Sequence, residues 1–145
     1  MTAAPVCSNL AARAALDAIL AKLSVGGIAG TIEIRAGAPE ATAETADAGT
    51  LIATLTLSVT AFAASVDNAA GGATATANAI TPATAVAGAT AGHFRAKDHT
   101  GTVIVQGNVG TASADCILSD TNIANGALVS IASWTVTQPD GSGTD

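Results

Sequence analysis

Hydrophobic residues follow two different periods along this chain, and the period changes near Gly26. Within residues 8–24 the apolar side chains lie three or four positions apart, which predicts one amphipathic helix with a narrow apolar stripe. The stripe consists of Leu16, Ile19, Leu20 and Leu23. Such a stripe fits a helix that lies on the following domain, which we favour, or an arm that docks on a partner.

Polar residues at the start and on the side of this helix have local roles. Ser8 or Asn9 can accept hydrogen bonds from the first amides, which lack partners within a helix. Arg13 and Asp17 lie four positions apart and are predicted to form an ion pair. Two glycines then end the element, and we assign residues 1–26 to an N-terminal helical arm.

After the glycines the pattern alternates, as in β-strands that bury one face. Ile32 and Ile34 alternate with Thr31, Glu33 and Arg35, which predicts a strand with one solvent-facing side. The next strand is "GTLIATLTLSV", and later strands are "HFRAK", "TVIVQGNV", "DCILS" and "ALVSIASWTVT". A middle region rich in Ala, Thr and Gly adds a strand packed on small residues.

These strands predict the fold class and the domain boundaries. About seven or eight short strands separated by turn residues are typical of a β-sandwich or jelly roll. We therefore expect a mainly β fold: an antiparallel β-sandwich, jelly-roll-like, over residues 27–138, with one N-terminal α-helix. The polar, acidic segment 37–49 is predicted to be a surface loop. Residues 139–145 are predicted to form a flexible acidic tail.

The stretch "GHFRAKDHTGTVIVQGNVG", residues 92–110, is predicted to form a β-hairpin. His93, Arg95 and Lys97 alternate with apolar residues, so they share one face, which we expect to be the outer one. His99 lies in the turn between the strands. The expected core residues of this region and of the last strand are Phe94, Val103, Val105 and Trp134.

Composition excludes several classes of partner. The chain has 145 residues, enough for one domain, and 5 basic against 11 acidic residues, which give a net charge of −6. This charge repels phosphate backbones and anionic membrane surfaces, so we expect neither nucleic acid nor membrane as a partner. Charged residues near the N-terminus interrupt the apolar run that a signal peptide or a membrane span would need. We expect a protein that is made and used without secretion.

The residues that carry chemistry show no spacing typical of a metal or catalytic site. His93 and His99 lack the HExxH type of spacing, and Cys7 and Cys116 lie far apart with no CxxC motif. Both cysteines are predicted to be buried small hydrophobes. We expect no metal, no cofactor and no enzymatic activity. A carbohydrate-binding sandwich stays open as an alternative, although Trp134 fits a core anchor better than a stacking platform.

A family resemblance covers residues 10–137. The runs that carry it are "AARAALDAILAKLSVGGIAGTIEIRAGAPE", "GTLIATLTLS", "ATANAI", "AGHFRAKDHTGTVIVQGNVG" and "LVSIASWTVT". They resemble a family of small proteins encoded among the virion structural genes of tailed bacteriophages. The most specific element is the hairpin at residues 92–110, in which an aromatic–Arg pair precedes a short turn and a Val-rich strand. Members are similar to capsid decoration (cement) proteins.

The resemblance implies a non-enzymatic protein that binds the outer surface of the phage head and stabilises it by bridging subunits of the major capsid protein. It implies localisation in the virion after synthesis in the host cytoplasm, and a homo-oligomer, either a dimer or a trimer, suits a symmetric lattice. The side chains expected to contact the capsid lie in the helical arm and in the loop: Leu16, Ile19, Leu20, Leu23, Pro39 and Glu40. The alternatives are a tail or head–tail accessory protein and the carbohydrate-binding module.

Overall fold

A computed structural model of the chain describes residues 5–141 and shows a mainly β protein with one α-helix. Helix α1 spans Asn9–Ala21 and continues into a 3-10 segment, Lys22–Gly27. The strands are β1 (Thr31–Ala36), β2 (Leu51–Thr56), β3 (Val66–Asp67), β4 (Ala73–Thr76), β5 (Ala83–Thr84), β6 (Ala89–Lys97), β7 (Val103–Gly110), β8 (Cys116–Leu118), β9 (Asn122–Ile123), β10 (Leu128–Val129) and β11 (Ile131–Gln138).

Nine of these strands form one mixed sheet. Its order is β2-β1-β6-β7-β8-β11-β4-β3, with β9 paired to β6, and β10 pairs with β5 in a small second sheet. The prediction of an entirely antiparallel sheet is wrong at one place, because β7 and β8 run parallel. Their overlap is two register pairs, and only residues 111–115 connect them, with Ser113 at a φ of 52°. Such a short connection replaces the long crossover that parallel neighbours usually need.

The apolar faces of the sheet and the helix share one hydrophobic core. β1 and β6 contribute Ile32, Ile34 and Phe94, all buried. Trp134 on β11 is buried between two aromatic rings, with ring centroids 4.6 Å from Phe62 and 5.2 Å from Phe94 in edge-on arrangements. Edge-on aromatic pairs stabilise a core beyond the burial of apolar area alone, so Trp134 anchors the core from the β11 side.

The predicted hairpin is present, with a register that differs in detail. Val105 lies opposite Ala96 as expected, but a bulge places Val103 opposite Lys97 and leaves Phe94 opposite Gly107. Val105 is half-buried against the core, whereas Val103 is half-buried but is not part of that cluster. The bulge thus separates the two valines that the alternation had placed together.

Helix α1 lies on the domain, the interpretation that the sequence favoured. Ser8 caps it, and its hydroxyl accepts a hydrogen bond from the amide of Ala11 at 3.2 Å. Three residues of the leucine stripe are buried in the protein's own core: Leu16, Leu20 and Leu23. They are therefore not free to contact a capsid in this conformation, and the picture of a separate docking arm needs this correction. Ile19 keeps 39% of its surface exposed.

Buried Ser65 fixes the helix to the segment before β3 by three hydrogen bonds. Its amide donates to Asp17 Oδ1 at 2.9 Å, its hydroxyl donates to Arg13 O at 3.3 Å, and its carbonyl accepts from Arg13 Nε at 3.2 Å. Arg13 also lies 3.7 Å from Asp67. The predicted Arg13–Asp17 ion pair is wrong, because both side chains bind Ser65 and its neighbourhood instead.

The N-terminal segment and residues 139–141 lie together. The amide of Cys7 donates to Asp140 O at 2.7 Å, and Asp140 is buried, so this part of the predicted flexible tail is packed. The rest of that prediction, residues 142–145, lies outside the described residues. Cys116 is buried as predicted, and burial together with the Asp115 charge raises the pKa of its thiol to about 12. Cys7 is exposed, so the prediction that both cysteines are buried is wrong.

A lidded ionic cluster as the candidate functional site

The face of β6 that was predicted to be outermost is buried. His93 and Arg95 have no exposed surface, and Lys97 has little. The cover is the loop of residues 37–49, which we call the lid. It has no helix or strand of its own and lies across the outer face of β1, β6 and β7. The prediction that Arg95 and Lys97 face solvent is therefore wrong.

Strand pairing brings the polar side chains under the lid together. In the antiparallel β1–β6 ladder, Glu33 lies opposite Arg95 and Arg35 lies opposite His93. Gln106 on β7 lies on the other side of Arg95. Because side chains alternate between the faces of a strand, these residues all project away from the apolar core. The predicted wet face of β1 is thus a polar face that the lid covers.

Arg95 lies at the centre of the contacts with the lid. Its guanidinium donates to Thr45 O at 2.8 Å and to Ala43 O at 2.6 Å. The same group lies 2.9 Å from Asp47 Oδ1 and 3.5 Å from Glu40 Oε1. A planar guanidinium with five donors suits this combination of two backbone carbonyls and two carboxylates.

Lys97 and Arg35 bind the other end of the lid through Asp47. Lys97 Nζ donates to Asp47 Oδ2 at 2.6 Å and to Glu33 Oε1 at 2.9 Å. Arg35 donates to Glu33 Oε2 at 2.8 Å, to Asp47 Oδ2 at 3.1 Å and to Gly49 O at 3.2 Å. One lid carboxylate, Asp47, therefore contacts three basic side chains.

Glu40 closes the opposite end of the lid and is 3% exposed at its side chain. Its Oε1 accepts from the amide of Ala48 at 2.6 Å, and its carbonyl accepts from Gln106 Nε2 at 2.7 Å. Its Oε2 lies 3.2 Å from His93 Nε2, while His93 Nδ1 lies 2.9 Å from Gly37 O. Glu40, expected to contact a capsid, is an internal residue, and the neighbouring Pro39 is half-buried.

The charges in the cluster hold one another in their ionised forms. Burial alone would raise the pKa of Glu40, but the Ala48 amide and the nearby His93 and Arg95 side chains outweigh it and lower that pKa. The hydrogen bond from Lys97 is the largest influence on Asp47 and lowers its pKa against the effect of burial. For Lys97, hydrogen bonds and charges from Asp47 and Glu33 outweigh burial and raise the pKa.

The hydrogen bonding under the lid is incomplete. Four buried side-chain atoms there have no partner of hydrogen-bond geometry: Glu40 Oε2, His93 Nε2, Arg95 Nε and Gln106 Oε1. The first two face each other at 3.2 Å without the alignment that a hydrogen bond needs. Because each buried polar atom without a partner destabilises a fold by about 1–3 kcal/mol, the closed lid is held less firmly than its ion pairs suggest.

The cluster contains equal numbers of acidic and basic side chains. Three carboxylates, Glu33, Glu40 and Asp47, meet three basic side chains that carry a fixed charge. Within residues 5–141 there is no group of three or more His, Cys, Asp or Glu side chains placed to hold a metal ion. The second histidine, His99, lies in the exposed β6–β7 turn and takes no part in the cluster. The arrangement binds the lid to the strand face.

The sequence contained a signal for this cluster that the periodicity analysis did not use. Three of the five basic residues fall on alternate positions of two neighbouring strands, and the acidic residues of the lid follow directly after the first of these strands. Complementary charge between a strand face and the next loop predicts that the loop folds over that face. Alternation alone assigns polar residues to solvent and misses such a cover.

A second feature is an apolar groove beside the carboxyl end of α1. It has a volume of about 360 Å³, and its lining includes Leu20 and Phe62. Val59 lines it and is 56% exposed. Val25, the next residue after the lining residue Ser24, is also exposed. Exposed apolar surface can mark an interaction site.

The aromatic rings do not form a sugar-stacking platform. The chain has three aromatic side chains, Phe62, Phe94 and Trp134, and all three are buried. Trp134, the residue on which the carbohydrate alternative depended, has 1% of its surface exposed. Stacking on a sugar would therefore need a rearrangement of the core.

The comparisons with known proteins leave the site to be interpreted from its own geometry. None of the helices among residues 5–141 has the length and hydropathy that a membrane crossing requires. No protein-family model, curated protein or solved structure matches the chain.

Proposed function

We propose that the chain is a non-enzymatic structural protein of tailed-phage particles, which binds the outer surface of the head and bridges subunits of the major capsid protein. The family resemblance of residues 10–137 supplies the phage context. In this proposal the protein acts as a homo-oligomer, so that several modest contacts with a repeated lattice add up to firm binding. Stabilisation of the shell then follows by mass action, without chemistry.

A folded-over sheet, as in a β-sandwich or jelly roll, fits this proposal and the aromatic contacts. β6 and β11 are three strand intervals apart in the sheet order. At about 4.8 Å for each interval, a flat sheet would separate them by about 14 Å. Yet the rings of Phe94 on β6 and Trp134 on β11 lie 5.2 Å apart. We infer that the sheet curls so that its two halves face each other across the core, which gives the rigid body that a lattice clamp needs.

The apolar groove at the carboxyl end of α1 is the observation that carries the proposal. Exposed Val59 lines it together with the buried side chains of Leu20 and Phe62, and an exposed apolar surface of this kind is typical of a protein-binding site. The groove replaces the leucine stripe and the lid as the expected capsid contact, since both of those are occupied within the chain. It lies on the body of the fold, so binding needs no unfolding of the arm.

Charge supports a protein partner that tolerates acidic surfaces. The cluster holds three of the five basic residues and three of the eleven acidic residues. The rest of the chain therefore has two basic and eight acidic residues. The groove itself has one carboxylate, Asp17, already bound by the Ser65 amide. A neutral apolar ridge on the capsid surface fits such a groove better than a charged one.

Cryo-electron microscopy of particles that lack the protein, before and after its addition, tests the function. We expect new density on the outside of the head at the seams between capsid subunits, and a higher disruption temperature for the loaded particles. Density confined to the tail or to the head–tail junction would support the accessory alternative instead. No density anywhere on the particle would refute the proposal.

A matched pair of variants tests the groove. Val59→Asp places a charge in the groove and should abolish binding to particles. Val86→Asp is the control, because Val86 is similarly exposed, at 66%, but does not line the groove. Equal binding of the two variants, each with the circular dichroism spectrum of the wild type, would show that the groove is not the capsid contact.

A further inference from the structure

We propose that the lid is an internal acidic ligand, and that the basic face beneath it binds an acidic, turn-forming peptide segment of a partner when the lid swings away. We call this face the basic strip; it consists of Arg35, His93, Arg95 and Lys97. The inference goes beyond the proposed function, since it depends only on the contacts between the lid and the two strands.

The strip has the charge of a receptor once the lid is removed. Of the three carboxylates in the cluster, Glu40 and Asp47 belong to the lid and Glu33 belongs to β1. Opening the lid therefore leaves Arg35, Arg95 and Lys97 with Glu33 as the one carboxylate of the cluster. Basic side chains held side by side on a rigid sheet, with donors already oriented, are a preorganised site for carboxylates.

The closed lid shows which ligand chemistry the strip recognises. Arg95 donates to the backbone carbonyls of Ala43 and Thr45, and Gln106 donates to that of Glu40. Two of these carbonyls, those of Ala43 and Thr45, lie in a turn in which the amide of Thr45 donates to Thr42 O at 3.2 Å. The backbone contacts therefore depend on the turn and not on the side chains of the segment. Two carboxylates seven positions apart, Glu40 and Asp47, then contact the two ends of the strip. The expected ligand is a segment with a turn between two separated Asp or Glu side chains.

The lid can leave without disturbing the core. No residue of segment 37–49 belongs to the hydrophobic core, so polar contacts alone hold the segment closed. Glycines lie at both ends, with φ of 87° at Gly37 and 74° at Gly49. The ends themselves are held together, because the amide of Ala36 donates to Thr50 O at 3.0 Å. A loop with fixed, adjacent ends and a glycine at each end can open as a unit.

The four buried polar atoms without partners indicate that the lid is an imperfect ligand for its own strip. His93 Nε2 and Arg95 Nε, on the strip, are two of them, and Glu40 Oε2 and Gln106 Oε1 face the same region. Because Glu40 leaves with the lid, a segment that satisfied the other three atoms would bind the strip better than the lid does. Because a closed lid competes with any external ligand, the apparent affinity falls by the fraction of molecules that are open.

A titration with the lid's own sequence tests this inference on the full-length protein. The probe is a labelled peptide, GAPEATAETADAG, which repeats residues 37–49. The receptors are the wild type and the variant Glu40→Gln/Asp47→Asn, whose lid has lost both carboxylates while the strip is intact. By NMR titration we expect the peptide to bind the variant at least tenfold more tightly than the wild type, and more weakly as salt increases.

Two controls define failure. A peptide that itself carries Glu40→Gln and Asp47→Asn should not bind, and adding Arg95→Met to the receptor variant should abolish binding. Equal affinity for both receptors, equal binding of both peptides, or no binding to the variant would each overturn the inference. Adding the groove substitution Val59→Asp to the receptor variant Glu40→Gln/Asp47→Asn should leave its affinity for the peptide unchanged. Failure of the capsid proposal and failure of this one are therefore distinguishable.

Hydrogen exchange of the wild type supplies a measurement that needs no variant. We expect the amide of Ala48, which donates to Glu40 Oε1, to exchange at least a hundredfold faster than the amides of the β1–β6 ladder. Equal protection of the lid and the ladder would mean that the lid opens only with global unfolding. That result would also overturn the inference.

Discussion

The two faces of the β1–β6 ladder are made from the same strands and are covered in opposite ways. On the inner face, Ile32, Ile34 and Phe94 are buried against helix and sheet by apolar contact. On the outer face, Arg95 and Lys97, one residue away from such core side chains, are buried under a loop by hydrogen bonds and ion pairs. Burial is nearly equal on the two faces, but the forces that produce it differ.

The difference bears on stability and on motion. Apolar contact is non-directional and grows with the area removed from water, so the inner face is held as one cooperative unit. The outer face depends on a few directed contacts, each of which can be broken alone and each of which responds to salt and pH. The inner face therefore sets global stability, and the outer face sets whether the lid is open.

Trp134→Ala should have the largest effect, because it breaks the inner face. Removing the indole takes away the edge-on contacts with Phe62 and Phe94 and leaves a cavity. We expect a loss of about 3–5 kcal/mol in the free energy of unfolding, measured by chemical denaturation. The lid should remain closed in the molecules that stay folded. A loss under about 1 kcal/mol would show that the core does not depend on this ring.

Arg95→Met should break the outer face while leaving the inner one in place. It leaves buried Glu40 and partly exposed Asp47 with fewer partners, and the uncompensated charge of Glu40 costs about 3 kcal/mol if the lid stays closed. Opening the lid avoids that cost, so the loss of global stability should be smaller. Hydrogen exchange should show faster exchange in residues 37–49 and unchanged protection of the core strands. Faster exchange in both regions would contradict the separation of the two faces.

The stability of the closed lid should depend on pH at both extremes. The pKa values of Glu40 and Asp47 are lowered, so their contribution is complete above about pH 5, where both groups are ionised in the unfolded chain as well, and is lost as the pH falls through their folded pKa values. The pKa of Lys97 is raised, so its contribution is complete below about pH 10 and is lost as the pH rises through the folded pKa. Exchange of lid amides, corrected for intrinsic rates, should therefore be slowest between these limits. In Asp47→Asn the acid limb should be shallower.

Glu44→Gln should have the smallest effect and serves as the control for the lid carboxylates. Glu44 lies in the lid between Glu40 and Asp47, but its side chain is exposed. Removing its charge should change the free energy of unfolding by less than about 0.5 kcal/mol, as expected for a surface substitution. A larger loss in chemical denaturation would mean that the net acidity of the lid, and not the specific contacts of Glu40 and Asp47, holds it closed.

The inner face was predictable from the sequence because alternation reports burial against an apolar core. Ile32, Ile34 and Phe94 all lie where their spacing placed them, on the core side of their strands, and so do the three leucines of the stripe, whereas Ile19 stays 39% exposed. The hairpin turn also formed as expected, with Asp98 Oδ1 accepting from the amides of Thr100 and Thr102. These features depend on neighbours in the sequence and on one general driving force.

The outer face was not predictable by the same reasoning. A polar residue on an alternating strand is assigned to solvent, and nothing local shows that a loop about 50 residues earlier folds over Arg95. The predicted Arg13–Asp17 ion pair was wrong for the same reason. Both side chains bind the backbone of Ser65, which is distant in the sequence and cannot be foreseen from the helix alone. The parallel β7–β8 pair likewise follows from a short irregular connection that periodicity does not describe.

The position of β11 in the sheet has a consequence for synthesis on the ribosome. β11 lies between β8 and β4, so it joins the part of the sheet containing β1, β6 and β7 to the part containing β3 and β4. Residues 131–138 form this strand. β3 and β4 are synthesised long before these residues, so they cannot pair with β11 until the end of the chain is made. The β6–β7 hairpin can form early, but the nascent chain keeps unpaired strand edges until residue 138 has emerged. Slow translation of this region would prolong exposure of those edges, and fast completion would favour the native fold over aggregation.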